Sequence, residues 1–196
     1  MVFEGYFIQY KFIIPNELKH SSYTYQKLFR ALYGYTQSVS KSSGKNYKYH
    51  RKGVLSEIPY IRAGKNSILI PQKHLAKLIE FFKTGKNPTH AWETKGDWKA
   101  VYYMDEKKID ENLVVESLEE LLERTYVQNN SKQHVKIADE LNEISLKLGS
   151  NQEIKQSYLN FFKEELKKIL SNQWFKECYS KSIKLKEFYD KTQNLG

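Results

Sequence analysis

The chain has a single cysteine, Cys178, so no intrachain disulfide can form and no cysteine-based zinc site can be built. It has no uncharged apolar run of about 18 residues, and no transmembrane helix is expected. The stretch 1–15 carries Glu4 and Lys11 among its apolar residues. It lacks a basic leader and a small-residue cleavage site, so a signal peptide is not expected and a cytosolic chain is. No GxxxxGK[ST] phosphate loop is present, because asparagine follows each Gly-Lys pair. The histidines His20, His50, His74, His90 and His134 show neither HxxxH nor HxH spacing, so neither a metal site nor a cofactor is predicted.

Acidic residues are scarce in one half. Residues 1–104 hold 17 Lys/Arg against 6 Asp/Glu, whereas residues 105–196 hold 15 against 17. All of the formal excess of +9 therefore belongs to the first half. Between Lys41 and Lys86 there are eleven basic residues and only two acids, Glu57 and Glu80. Lysine spread for solubility would be scattered, so the asymmetry points to an anionic partner.

The local patterns change at the same place. Phe3 to Ile14 is aromatic and β-branched and reads as a strand. Ser21 or Ser22 caps a helix with Tyr25, Leu28, Phe29, Leu32 and Tyr33 at helical spacing, ending at Gly34 or near Val39. Tyr47 to Arg51 alternates as a strand. Glu57 to Ala63 and Ser67 to Ile70 form a hairpin. Pro71 suits the first position of a helix that ends at Gly85. Strands near His90 to Glu93 and Trp98 to Met104 flank the turn Thr94 to Asp97, with Trp92 and Trp98 as a cross-strand pair or as exposed stacking groups.

Beyond Met104 the pattern is helical: Asp110 to Tyr126, Gln133 to Gly149, a helix opened by the capping box Ser150 to Glu153, and a last one from Trp174 to Lys191. The expected fold class is α+β. An antiparallel or mixed sheet with two helices (1–106) is followed by a bundle or arm of about four helices (107–196), either separate or packed as one unit.

Three Gly-Lys-Asn triplets, at 44–46, 64–66 and 85–87, punctuate the basic half. Glycine and asparagine favour positive φ, so each triplet reads as a turn that lifts a lysine. One strand and one helix separate the last two, which places Lys65 and Lys86 at one end of the domain. Lys45 joins them if the chain turns at Gly53 to Ser56.

The segment Lys41 to Lys52, KSSGKNYKYHRK, interleaves cations with aromatics. Cations attract phosphate and release counterions, and aromatic rings stack on unpaired bases. On a strand Tyr47, Tyr49 and Arg51 share one face and Lys48, His50 and Lys52 the other.

These patterns predict a non-catalytic nucleic-acid-binding protein, RNA ahead of DNA. The phosphate contacts are assigned to Lys41, Lys45, Lys48, Arg51, Lys52, Arg62, Lys65 and Lys86, and the stacking to Tyr47 and Tyr49. The helical half would serve a protein partner or a homo-oligomer, and no membrane is involved. Two alternatives stay open. Glu93, Lys95 and Asp97 form an E-x-K element of the kind metal-dependent nucleases place on a strand. The helical half alone could act as a protein–protein adaptor. The acidic stretch Glu116, Glu119, Glu120 and Glu123 is a solvated helix face or a cover for a basic surface.

Overall fold

The computed structural model of the chain describes residues 2–17, 19, 21–40, 44, 46–86 and 98–195. Its class is α+β, with an N-terminal antiparallel sheet and most of its helices in the C-terminal half. The strands are β1 (Val2–Ile13), β2 (Tyr35–Ser40), β3 (Asn46–Arg51), β4 (Ile61–Arg62), β5 (Ser67–Pro71), β6 (Lys99–Asp110), β7 (Tyr126–Gln128) and β8 (His134–Lys136). The α-helices are α1 (Tyr23–Tyr33), α2 (Leu75–Thr84), α3 (Glu111–Arg124), α4 (Ile137–Gly149), α5 (Gln156–Leu170), α6 (Gln173–Cys178) and α7 (Ile183–Gln193). Two compact units result: Met1–Thr36 with His50–Leu113, and Gln37–Tyr49 with Val114–Gly196. The first unit thus runs past residue 106, where the composition changes, and residues 37–49 belong to the second.

In the first unit the sheet order is β4-β5-β1-β6. β1 is central and pairs antiparallel with β5 (Gly5 opposite Pro71, Gln9 opposite Ser67) and with β6 (Val2 opposite Asp110, Ile13 opposite Lys99). Side chains alternate across a strand, so Ile8, Tyr10 and Phe12 share one face. All three are buried, in one core with Leu28 and Leu32 of α1 and Leu78, Phe81 and Phe82 of α2. Phe12 meets Phe29, Phe81 and Trp98 edge-to-face, at ring separations of 5.3, 6.3 and 5.6 Å. That is the orientation aromatic quadrupoles prefer.

The buried side of β1 switches near its start. Phe3 and its cross-strand partner Ile109 are also buried, yet they lie on the face opposite Ile8, Tyr10 and Phe12. The register against β6 is unbroken across the switch. Gln9, Lys11 and Ile13 consequently point away from the aromatic core, and all three are exposed.

The stops and caps of α1 and α2 follow the sequence reading, whereas the ends of β4 and β5 differ from it for local reasons. Helix α1 begins after Ser22, whose side chain accepts from the Tyr25 amide, and stops at Gly34, φ 76°. Pro71 closes β5 instead of opening a helix; a 3₁₀ turn (Gln72–His74) intervenes before α2. Gly85, φ 69°, is the left-handed stop of α2. β4 is only two residues long because the segment before it folds inward, burying Val54, Leu55, Ile58 and Tyr60.

The helical half contains a small ribbon, β7-β8, where the end of one helix, a polar break and the start of the next are expected. Val127 pairs with Val135, and Asn129 Oδ1 accepts from the Ser131 and Gln133 amides to close the turn. Ser150 does not open α5. Its hydroxyl bonds back to the Leu146 and Lys147 carbonyls and finishes α4. The last helix is two, with Asn172 capping α6 and Ser182 capping α7.

The end of α1 is held by a backbone apposition. The Val54 and Leu55 amides donate to the Ala31 and Leu32 carbonyls at 2.9 and 2.8 Å, filling acceptors that a helix end leaves free. The Ser56 hydroxyl accepts from the Gly53 amide at 2.8 Å and donates to the Tyr33 carbonyl at 3.3 Å. A Cβ on Gly53 would lie 2.2 Å from the Gly34 nitrogen and 2.8 Å from the Ala31 oxygen. Both are main-chain atoms that cannot rotate away. Gly53→Ala is therefore expected to destabilise the protein by about 2–3 kcal/mol, as overpacking does. An unchanged urea midpoint would refute the close approach.

Candidate nucleic-acid interface

The open face of β1 and β6 is built in rows. Gln9 stands opposite Tyr103, Lys11 opposite Val101, and Ile13 opposite Lys99. Val101 and Tyr103 retain 53% and 59% of their accessible surface, which is high for large apolar side chains on the two longest strands. The β5 register places the Lys65 turn beside Lys11, and the Tyr10 amide donates to the Asn66 carbonyl at 2.9 Å. A depression of about 590 Å³ lies here, with Gln9, Lys11, Lys65, Val101 and Tyr103 on its walls. Lys11, Lys65 and Lys99 are exposed and make no ion pair among the described residues. Between Gln9 and Lys11, the Tyr10 side chain points to the opposite, core face, where its hydroxyl is 2.7 Å from that of Tyr33. Burial, and then this bond, raise the Tyr10 phenol above its usual range, so it stays neutral.

The positions singled out in the sequence fare differently. The turn glycines of all three triplets have positive φ: 74° at Gly44, 122° at Gly64 and 69° at Gly85. Phe81 and Phe82, in the last turn of α2, pack on Phe12. Gly85 therefore lies at the same end of β1 as the Lys65 turn. Lys86 follows it, exposed, with its amide donating to Thr84 Oγ1. Arg62 is exposed but lies over the Tyr33 ring at 5.2 Å, and its register opposite Ile68 puts it on the core-side face, away from Lys65. Lys52 is half-buried and paired with Glu57 at 2.7 Å. Arg51 is exposed at the end of β3. Lys41, Lys45, Glu93, Lys95 and Asp97, with His90 and Trp92, lie outside the described residues.

In the second unit Tyr47 and Tyr49 share a face of β3, with rings stacked at 6.4 Å and 25°. Tyr49 also meets the His134 ring at 6.2 Å. Lys48 is exposed on the wall of a groove of about 610 Å³ whose other residues include His134, Lys136, Asp139, Glu140 and Glu143. Three carboxyl groups make this groove a poorer seat for phosphate than the sheet face. Glu123 is held by Lys136 at 2.5 Å and Lys184 at 2.7 Å, which lower its carboxyl to about 2. Part of the acidic face of α3 thus serves ion pairs within the helical unit. Among the described residues no three His, Cys, Asp or Glu gather to hold a metal, and no helix is long and apolar enough to cross a membrane.

Comparison with protein-family models, curated proteins and solved structures finds no match.

Sequence reasoning missed Lys11, Lys99, Val101 and Tyr103. Their signal was the two-residue period in segments already read as strands. Which parity faced outward depended on where the helices packed.

Glu140 provides a test of the second groove. It is buried, and Tyr158 donates to it at 2.5 Å. Burial raises its carboxyl above the usual range, against the smaller opposing effects of Tyr158 and Lys147. A raised carboxyl favours the folded state below its unfolded value, near 4.5, and that contribution is lost as pH rises through the folded value. Glu140→Gln removes the charge and keeps an acceptor for Tyr158. The variant is expected to melt at or above the parent at pH 7, with the difference shrinking toward pH 4. A variant that is less stable only at pH 7 would contradict the burial cost.

Proposed function

We propose that the protein binds nucleic acid without catalysis, RNA ahead of DNA, and holds the phosphate backbone on the basic surface of its first unit. The observation that carries this reading is the open sheet face, where Lys11, Lys65 and Lys99 stand to one side of the exposed Tyr103, about Val101. Three exposed ammonium groups with no counter-charge among the described residues keep their attraction for phosphate. The surplus of positive charge in the same half of the chain supports the reading. Lys86, at the same end of β1, extends the basic surface, and Arg51 and Lys48 are further exposed cations of the Lys41–Lys52 segment.

The test is filter binding with labelled RNA and DNA across about 50–200 mM salt. Affinity is expected to fall steeply with salt. The double change Lys11→Glu with Lys65→Glu should weaken binding at least about tenfold and flatten the log–log salt slope by roughly 1.4 on a single strand. Lys176→Glu with Lys186→Glu, on exposed positions of α6 and α7, should do far less. Binding that is absent at low salt, or indifferent to salt, would refute the reading. Labelled strands should also survive incubation with Mg²⁺ or Mn²⁺.

A further inference from the structure

We propose that the open face of β1 and β6 takes an unpaired strand, with Tyr103 as the platform on which a base stacks. The inference rests on the nucleic-acid reading above and names the form of ligand. Duplex and single strand ask for different surfaces. In a duplex the base faces are already stacked on one another, and only their edges are reached, by an element thin enough to enter a groove. Strands β1 and β6 offer no such element here, because their outward residues stand on the face of a broader sheet. An unpaired strand instead needs a flat surface, an accessible ring and cations to one side.

The rows supply these in order. The first holds Tyr103 with Gln9, an exposed ring beside a side chain that can both donate to and accept from a base edge. The next two hold Lys11 with Val101 and Lys99 with Ile13. Alternate residues on a strand are about 6.7 Å apart, so the cation rows follow the aromatic row at one and two such steps. A base on Tyr103 therefore directs its backbone across Lys11 and Lys99, with Lys65 on the flank. Val101 and Ile13, 53% and 46% exposed, give the sugar an apolar surface. Unpaired bases are the usual target of RNA-binding surfaces, which accords with RNA ahead of DNA.

The experiment compares a fluorescein-labelled mixed-sequence strand of about 12 nucleotides with the blunt duplex it forms with its complement, by anisotropy at fixed salt, each as RNA and as DNA. The full chain and its variants Tyr103→Ala and Tyr103→Phe are used. Tyr103 is exposed, so both variants should fold, and their thermal midpoints check this. The expected result is tighter binding of the single strand, a loss of about tenfold in Tyr103→Ala, and retention within about threefold in Tyr103→Phe, which keeps the ring. The duplex should be indifferent to both changes. A duplex that binds as tightly as the strand, or a strand that ignores Tyr103→Ala, overturns this inference and leaves the broader reading standing. Binding of neither overturns both.

Discussion

The register of β1 is the constraint on which the first unit depends. The strand is paired with β6 along its whole length and with β5 over Gly5 to Gln9, so its residues cannot change faces without breaking a ladder. Ile8, Tyr10 and Phe12 face the helices, and Gln9, Lys11 and Ile13 must then face out. Tyr103 and Val101 are fixed in turn by the same ladder. A one-residue slip would bury Lys11 and expose Phe12. The aromatic cluster around Phe12 and the cation-bearing face are thus two sides of a single registration.

That core closes only because α1 ends where it does. Gly34 and Gly53 let two backbones approach more closely than any side chain allows. The amides of Val54 and Leu55 then satisfy carbonyls at the helix end while their side chains enter the core. The same contact makes β4 short, since the residues preceding it are spent on filling the space beside α1. The aromatic layer continues outward through Tyr33, which meets the Tyr60 ring at a tilt of 56° and carries the Arg62 guanidinium. A basic residue that looks free in sequence is in this way drawn into packing.

Much of the architecture was legible because it is local. The caps at Ser22, Gly34 and Gly85, the hairpin around Gly64 to Asn66, and the apolar stripes of α1 and α2 are set by residues within a few positions of one another. The ribbon β7-β8 was not legible. Gln133 to Lys136 continues a helical pattern on paper, and only pairing with Tyr126 to Gln128 makes it extended. Ser150 to Glu153 fits a helix start, yet the Ser150 hydroxyl is taken by the carbonyls behind it. In both places a short segment had two locally acceptable states, and a contact outside the segment chose between them.

The sequence by itself determined where the charge lies, because charge composition does not depend on folding: the positive excess belongs to residues 1–104, and most of the acids belong to 105–196. It also determined the positive-φ turns, since glycine at 44, 64 and 85 carries its freedom in its own chemistry. The tertiary structure decided which cations stand together. Lys65 joins Lys11 and Lys99, contributed by distant strands, while Lys52 is paired with Glu57 and Arg62 lies on an aromatic ring. The physical reason is that composition sums over residues, whereas a surface depends on the parity of each strand against its core.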